Sequence, residues 1–166
     1  MSKKSNRKRN TILFFASALA WLVFDQLTKA LADGVEPGQV LWSGVTGVFD
    51  FQLVHNTGAA WGLFAGNPAA LGVFALLVCA CLLVIAHIRR DRASALEMLS
   101  FALIFAGGLG NAIDRFAHGY VIDFIDFYCI DYPVFNVADI GVVCGFILLL
   151  IVLLFFFRTP GDADEA

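Results

Sequence analysis

Charge is what this sequence lacks most. Only 15% of its 166 residues are Asp, Glu, Lys or Arg, while 60% are hydrophobic and mean hydropathy is +0.80. A balance of that kind disfavours a water-soluble globule. Basic residues are few, eleven Lys and Arg against fourteen Asp and Glu, so there is no broad cationic surface for nucleic acid. Metal-ligating patterns are missing too. No His-Glu-x-x-His occurs, and His55, His87 and His118 fall in different segments, so no metal site is expected. Ser43 and Ser100 stand in no local nucleophile motif, although a Ser/Lys pair assembled in space stays open. Of four cysteines, Cys79, Cys81 and Cys144 lie in apolar runs, leaving only Cys129 outside them. That excludes a disulfide framework and makes a thiol catalyst with His55 or His118 a minor alternative. Internal repeats and low-complexity tracts are absent.

What is present is long apolar sequence. Uncharged runs cover Thr11 to Phe24, Ala69 to Ile88, Met98 to Ile113 and Ile140 to Phe157. The second and fourth approach the roughly 20 residues a helix needs to cross a bilayer. The first and third reach that length only if Asp25, Gln26 and Lys29 extend the one and Asn111 and Asp114 lie near the end of the other. Polar groups there are costly and should face the bundle or the interface. The expected fold is a mainly α membrane protein, a four-transmembrane-helix bundle in one domain over residues 1–166. Its approximate spans are 11–30, 69–88, 96–115 and 139–157.

Lys3, Lys4, Arg7, Lys8, Arg9, Arg89, Arg90, Arg92 and Arg158 fall on one side of such a zigzag, and Lys29 and Arg115 on the other. The positive-inside rule then puts both termini in the cytoplasm, with residues 32–67 and 116–136 outside and an acidic tail at Gly161 to Ala166. The basic start and Ala30-Leu31-Ala32 also mimic a signal peptide. Cleavage there would discard Asp25 and Lys29, whose polar groups instead continue a helix. Outside, Val48 to Leu53 alternates as a strand with one wet face, Gln39 to Trp42 is a candidate partner, and Val121 to Tyr128 is a further apolar stretch. A small sheet at the outer membrane boundary is the expected arrangement.

Polar residues converge on that side. Asp25 and Lys29 share a helical face and can pair, as a structural ion pair, a lysine snorkelling to phosphate, or a contact to a lipid headgroup. Asn56-Thr57-Gly58-Ala59-Ala60-Trp61-Gly62 reads either as a Gly-rich turn with an interfacial anchor or as the lip of a substrate site. In Gly107-Gly108-Leu109-Gly110-Asn111-Ala112-Ile113-Asp114-Arg115 the glycines permit close helix approach. They leave Asn111 and Asp114 unexplained on the same face as Gly107; with Arg115 these suggest a hydrogen-bonded collar. Asn136 can cap the fourth helix with Asp139 in its first turn, so Asp139 has a plain capping role available. If Asp123 lies close enough to share one proton with it, the two carboxylates separate into a base and an acid near neutral pH.

Asp25-x-x-x-Lys29, Asn56 to Gly62, Gly110-Asn111-x-x-Asp114-Arg115, Val121-x-Asp123-Phe124 and Phe135-Asn136-x-Ala138-Asp139, in that order, closely resemble the bacterial lipoprotein signal peptidases, the signal peptidase II family. The resemblance covers nearly the whole chain. It implies an inner-membrane aspartic endopeptidase, without cofactor, that removes the signal peptide from diacylglyceryl-modified prolipoproteins before the lipidated cysteine. It implies Asp123 and Asp139 as the catalytic pair. Asp25, Lys29, Asn56, Gly58, Asn111, Asp114, Arg115, Asn136 and Ala138 are implied as substrate-binding or supporting residues. Four membrane helices would carry an extracytoplasmic β-cradle and a mobile helical element. Lipid-modified prolipoproteins and membrane phospholipids are the implied partners, with no obligate protein partner. Asp126 and Asp131 add nearby carboxylates with no reason to promote either. The competing readings are a small proton- or ion-coupled transporter, which needs a polar route through the spans, and a non-catalytic lipid binder.

Overall fold

The computed structural model describes residues 3–59, 63–64, 66–130 and 132–155. Along the chain run α1 (Lys3–Ala32), β1 (Val40–Val45), β2 (Phe49–Asn56), α2 (Pro68–Arg89), α3 (Ala95–Ala117), β3 (Val121–Asp126) and α4 (Val137–Phe155). All four helices are long and apolar enough to cross a membrane. The first begins well before its apolar run, because Arg7, Lys8 and Arg9 continue the helix as an exposed turn. At its other end α1 carries Asp25, Gln26 and Lys29 on without a break to Ala32.

Helix α3 is the centre. It packs against α1, α2 and α4, whereas α1 and α2 scarcely touch each other. Its glycines explain the closeness to α4: a Cβ at Gly107 would stand 2.2 Å from the Ala138 carbonyl oxygen, so the two backbones meet there only because position 107 has no side chain. Away from the sheet, Phe14, Ala18, Ala86, Met98, Phe101 and Ala106 form an apolar core. Lipid-facing positions such as Phe15, Leu19, Phe74, Leu77, Phe146 and Leu150 stay exposed, as expected where the solvent is hydrocarbon.

The three strands form one antiparallel sheet in the order β1-β2-β3, with Ser43 opposite Asp50 and His55 opposite Ile122. Its inner side packs Leu53, Ile122 and Phe124 on Ala32 and Val137, at the end of α1 and the start of α4. β2 departs from the expected strand with one wet face: every residue but the buried Leu53 is half-buried. As the middle strand it is covered on its polar side as well, where Gln52 donates to the Gly38 carbonyl and Asp50 accepts from the Gly44 N–H. Phe51 stacks between Trp42 and Phe124 across the three strands.

Two helix ends aim the chain at the site. α3 stops where Gly119 takes φ +79, with the Gly119 and His118 N–H groups donating to the Arg115 and Asp114 carbonyls. The turn throws the chain directly into β3. At α4, Asn136 Oδ1 accepts from the Asp139 N–H at 3.0 Å while Asp139 Oδ2 accepts from the Asn136 N–H at 3.1 Å, a reciprocal cap of the first turn.

Candidate active site

The polar residues singled out in the sequence meet where α1, α3 and α4 end beneath the sheet. Their foundation is an ion triad. Lys29, 1% exposed, donates to Asp25 Oδ2 at 3.0 Å, Asp114 Oδ2 at 2.8 Å and Asn111 Oδ1 at 2.8 Å, so all three of its protons are used. Asp25 Oδ1 accepts from the Ala138 N–H at 2.8 Å, fastening α1 to the first turn of α4. Asp114 Oδ2 also accepts from the Ile122 N–H at 3.2 Å, fastening α3 to β3. Gly110 makes room for this, since a Cβ there would lie 2.4 Å from Asp25 Oδ2. The pairing of Asp25 with Lys29 is therefore built into the core, and Lys29 points inward and not toward lipid phosphate.

From the triad the bonding runs on to two carboxylates. Asn111, its oxygen held by Lys29, donates its amide to Asp139 Oδ1 at 2.8 Å. Asn136, fully buried, donates to Asp123 Oδ1 at 2.7 Å and to Asn111 Oδ1 at 3.0 Å. Asn56 at the end of β2 donates to Asp123 Oδ2 at 2.9 Å. Asn136 thus touches both acids, one through its side chain and one through its backbone. Its capping role and its place in the site are the same arrangement.

Asp123 and Asp139 both line one cleft of about 260 Å³, together with Asn56, Asn111, Arg115 and Phe135. Burial, and after it the nearby charge of Asp139, pushes Asp123 from 3.8 up to about 7; the hydrogen bonds from Asn56 and Asn136 act in the opposite direction. Arg115 adds a cation on the cleft wall, donating to the Gly58 carbonyl at 2.9 Å and the Asn111 carbonyl at 3.3 Å. Gly58 is held from its other side too, its N–H donating to Asn56 Oδ1 at 2.9 Å. Ala60, Trp61, Gly62 and Asp131 lie outside the described residues. Asp126 is not part of the collar: it stands opposite Asp50 across β2 and β3.

Gln26, expected only to extend the first span with its polar group facing the bundle or the interface, is also a member of the site. Its amide donates to Asp25 Oδ2 at 3.1 Å and Asp114 Oδ1 at 3.2 Å, bracing the two acids of the triad. A polar residue beside Asp25 and three before Lys29, in an otherwise apolar run, was the available signal. His55 and His118, distant in sequence, both stack on Tyr120, while Asp33 takes His55 Nε2 at 3.1 Å. Among the described residues no group of three or more His, Cys, Asp or Glu is placed to hold a metal ion. Cys79 is buried with its thiol on the Phe105 carbonyl, whereas Cys81, Cys129 and Cys144 are exposed.

The model of the signal peptidase II family matches residues 17–155, which takes in the whole collar. The chain belongs to this family. As a signal peptidase II it is a membrane-bound aspartic peptidase that removes signal peptides from prolipoproteins, and the transporter reading falls away. The lipoprotein signal peptidase of Synechocystis is 40% identical over 139 residues, covering 83% of this chain and 85% of that one. The Gloeobacter violaceus lipoprotein signal peptidase is 41% identical over 157 residues, covering 92% and 88%. Two solved bacterial membrane enzymes, at 2.3 and 1.9 Å resolution, share the fold at 30% identity each. Their TM-scores are 0.78 and 0.76, and they cover 85% and 87% of this chain and 87% and 94% of their own.

Proposed function

We propose that Asp123 and Asp139 are the catalytic dyad of this signal peptidase II and that the other collar residues hold the dyad and its substrate in place. The observation that carries this is the single bridge of Asn136 between two carboxylates that line one cleft. The two acids begin with one proton shared between them. The ionised aspartate draws a proton from a water between the acids as that water attacks the scissile carbonyl carbon. Its protonated partner donates a hydrogen bond to the carbonyl oxygen, where negative charge develops. Breakage of the C–N bond then sends a dyad proton to the departing amine. Asn56, Asn111 and Asn136 orient the carboxylates; Asp25, Lys29, Asp114 and Ala138 fix the helix ends beneath them; Arg115 holds the loop at Gly58.

The substrate reading is a prolipoprotein whose cysteine carries a diacylglyceryl group, cut immediately before that cysteine. The cleft continues into an apolar cavity of about 340 Å³ that shares Asp139, Tyr132, Phe135 and Val143 with it and adds Ile140 and Cys144 of α4. Acyl chains entering there from the bilayer bring the modified cysteine to the dyad at interfacial depth. The chain acts as one domain in a bacterial inner membrane with both termini cytoplasmic and residues 32–67 and 116–136 outside. Clustering of basic residues at the end away from the collar supports this, as does the use of Asp25 and Lys29 by the collar, which favours retention of α1.

The test compares cleavage of a diacylglyceryl-modified precursor with cleavage of the same precursor bearing a free thiol, in matched lipid vesicles. The modified precursor should be cut far faster, and equal rates would overturn the lipid-recognition reading. Much of the acyl-chain transfer energy, about 25 cal/mol per Å², is already gained in the bilayer, so the difference reads positioning.

A further inference from the structure

A second cavity lies at the opposite end of the bundle, where the activity described above makes no use of it. It occupies about 300 Å³ between α1 and α2, the two helices that scarcely touch, with α3 as its floor. Phe14, Ala86 and Met98 form the buried base and Leu83 and Phe15 the exposed walls. Asn10 lies roughly 22 Å from Asp25 along α1 at 1.5 Å per residue, which places the cavity at the other membrane face.

Arg90 and His87 line the mouth, and Arg9 is held next to it on Asn10. Asn10, fully buried, donates its amide to the Arg90 carbonyl at 2.9 Å and the Ala93 carbonyl at 2.8 Å, while its oxygen accepts from Arg9 Nε at 3.1 Å and from a second Arg9 nitrogen at 3.0 Å. One asparagine therefore anchors the turn that carries Arg90 and holds the Arg9 guanidinium in place. Arg90 in turn lies 2.7 Å from His87 Nδ1. Neither Arg9 nor Arg90 has a carboxylate partner among the described residues, and the neighbouring Glu97 is taken by Arg89 at 2.7 Å. Asp91 is the remaining acid of the turn, and it is exposed.

We propose that this groove is a binding site for an anionic phospholipid of the basic-side leaflet, with one acyl chain between α1 and α2 and the phosphodiester at Arg90 and Arg9. The apolar walls select a chain and exclude a free anion. The two guanidiniums, that of Arg9 held by Asn10 and that of Arg90 beside His87, select a net negative headgroup over a zwitterionic one. A lipid seated there fills the gap between α1 and α2 and stiffens the end of the bundle remote from the dyad.

The test uses the full-length protein in one detergent, titrated with phosphatidylglycerol or phosphatidylcholine of identical acyl chains and read by native mass spectrometry and thermal stabilisation. Phosphatidylglycerol should bind at least about fivefold more tightly, the value of one arginine near an anionic headgroup. Arg90→Gln should bring the ratio close to one, and Leu83→Trp, which fills the groove from an exposed wall, should weaken both lipids. Glycerol 3-phosphate, which has the anion without the chain, should not stabilise. Equal affinity for the two lipids, an unchanged ratio in Arg90→Gln, or stabilisation by glycerol 3-phosphate matching that by the lipid would each overturn the proposal. If Arg90→Gln fails to fold, full phosphatidylglycerol binding by Leu83→Trp overturns it equally.

Discussion

Replacing Lys29 by Met keeps the length and apolar contacts of the stem and removes only the charge. Two buried carboxylates then lose their cation together. In the folded protein the ammonium lies 3.0 Å from Asp25 and 2.8 Å from Asp114, with the side chains of all three essentially inaccessible. At an effective dielectric of about 20 each such contact is worth roughly 5 kcal/mol before desolvation is counted. Desolvation offsets most of that in the intact triad, but the variant keeps the desolvated acids without the attraction. Breaking a buried pair from one side costs about 3–5 kcal/mol, against about 0–1 for an exposed pair. The lower end is expected here, because Asp25 retains the Ala138 N–H, Asp114 retains the Ile122 N–H, and Gln26 bonds both. The assay is reversible unfolding in mixed micelles of wild type, Lys29→Met, and Lys29→Met combined with Asp25→Asn and Asp114→Asn. The triple variant should recover a large part of the loss, since it no longer buries unpaired charge. A loss below about 1 kcal/mol in Lys29→Met, or no recovery in the triple variant, would refute the reasoning. Turnover should fall as well, because Asn111 Oδ1 then keeps only the Asn136 amide as a donor, which loosens the hold of Asn111 on Asp139.

Asp123, raised from 3.8 to about 7, keeps a proton in the folded protein that the unfolded chain has released. Its contribution to stability is therefore complete below about pH 4 and is lost as pH rises through about 7, an upper bound of about 4 kcal/mol. Asp123→Asn should accordingly gain stability relative to wild type between pH 4 and pH 8; equal differences at the two pH values would contradict the burial argument. Turnover of the wild type should decline as pH rises through about 7, where the dyad loses its shared proton, and a flat profile from pH 6 to 9 would contradict the acid role. Gly107→Ala should separate α3 from α4 at Ala138 and abolish cleavage with loss of folded yield, whereas Gly38→Ala, with open space around it, should leave turnover intact despite a strained turn. Cleavage should survive exhaustive chelation in an unchanged membrane mimic; loss with EDTA and recovery with stoichiometric Zn²⁺ would redirect the chemistry to metal-activated water.

Local spacing made part of this site legible. Asp25 and Lys29 four apart on a helix, and Asn136 three before Asp139 at a helix start, are distances within one turn, and both pairs meet in the fold. The four apolar runs likewise report helices because lipid exposure leaves a strong record in composition. What one chain order does not carry is which helix sits in the middle. α1 and α3 both mix apolar and polar residues, yet α3 is enclosed and α1 faces lipid along much of its length. Only the glycines at 107 and 110, which admit Ala138 and Asp25, distinguished them. Contacts across long loops were hidden for the same reason. Arg115 reaches Gly58 across 57 positions, and His55 and His118 share Tyr120 because β2 and β3 pair beside the end of α3. Gln26 was legible as a polar group of the first span but not as a site residue, because a neutral amide does not announce the two acids it braces.

Single-turnover cleavage of the lipidated precursor by Asp123→Asn, Asp139→Asn and the double variant tests the dyad most directly, with precursor binding measured beside it. Each single substitution should lower the cleavage step by at least about 10²-fold at similar folded yield and similar binding. The double substitution should cost much less than the two single losses added together, because both disable one proton-sharing unit. Near-normal cleavage by either purified single variant, free of wild-type enzyme, would contradict the assignment of Asp123 and Asp139 as the catalytic pair.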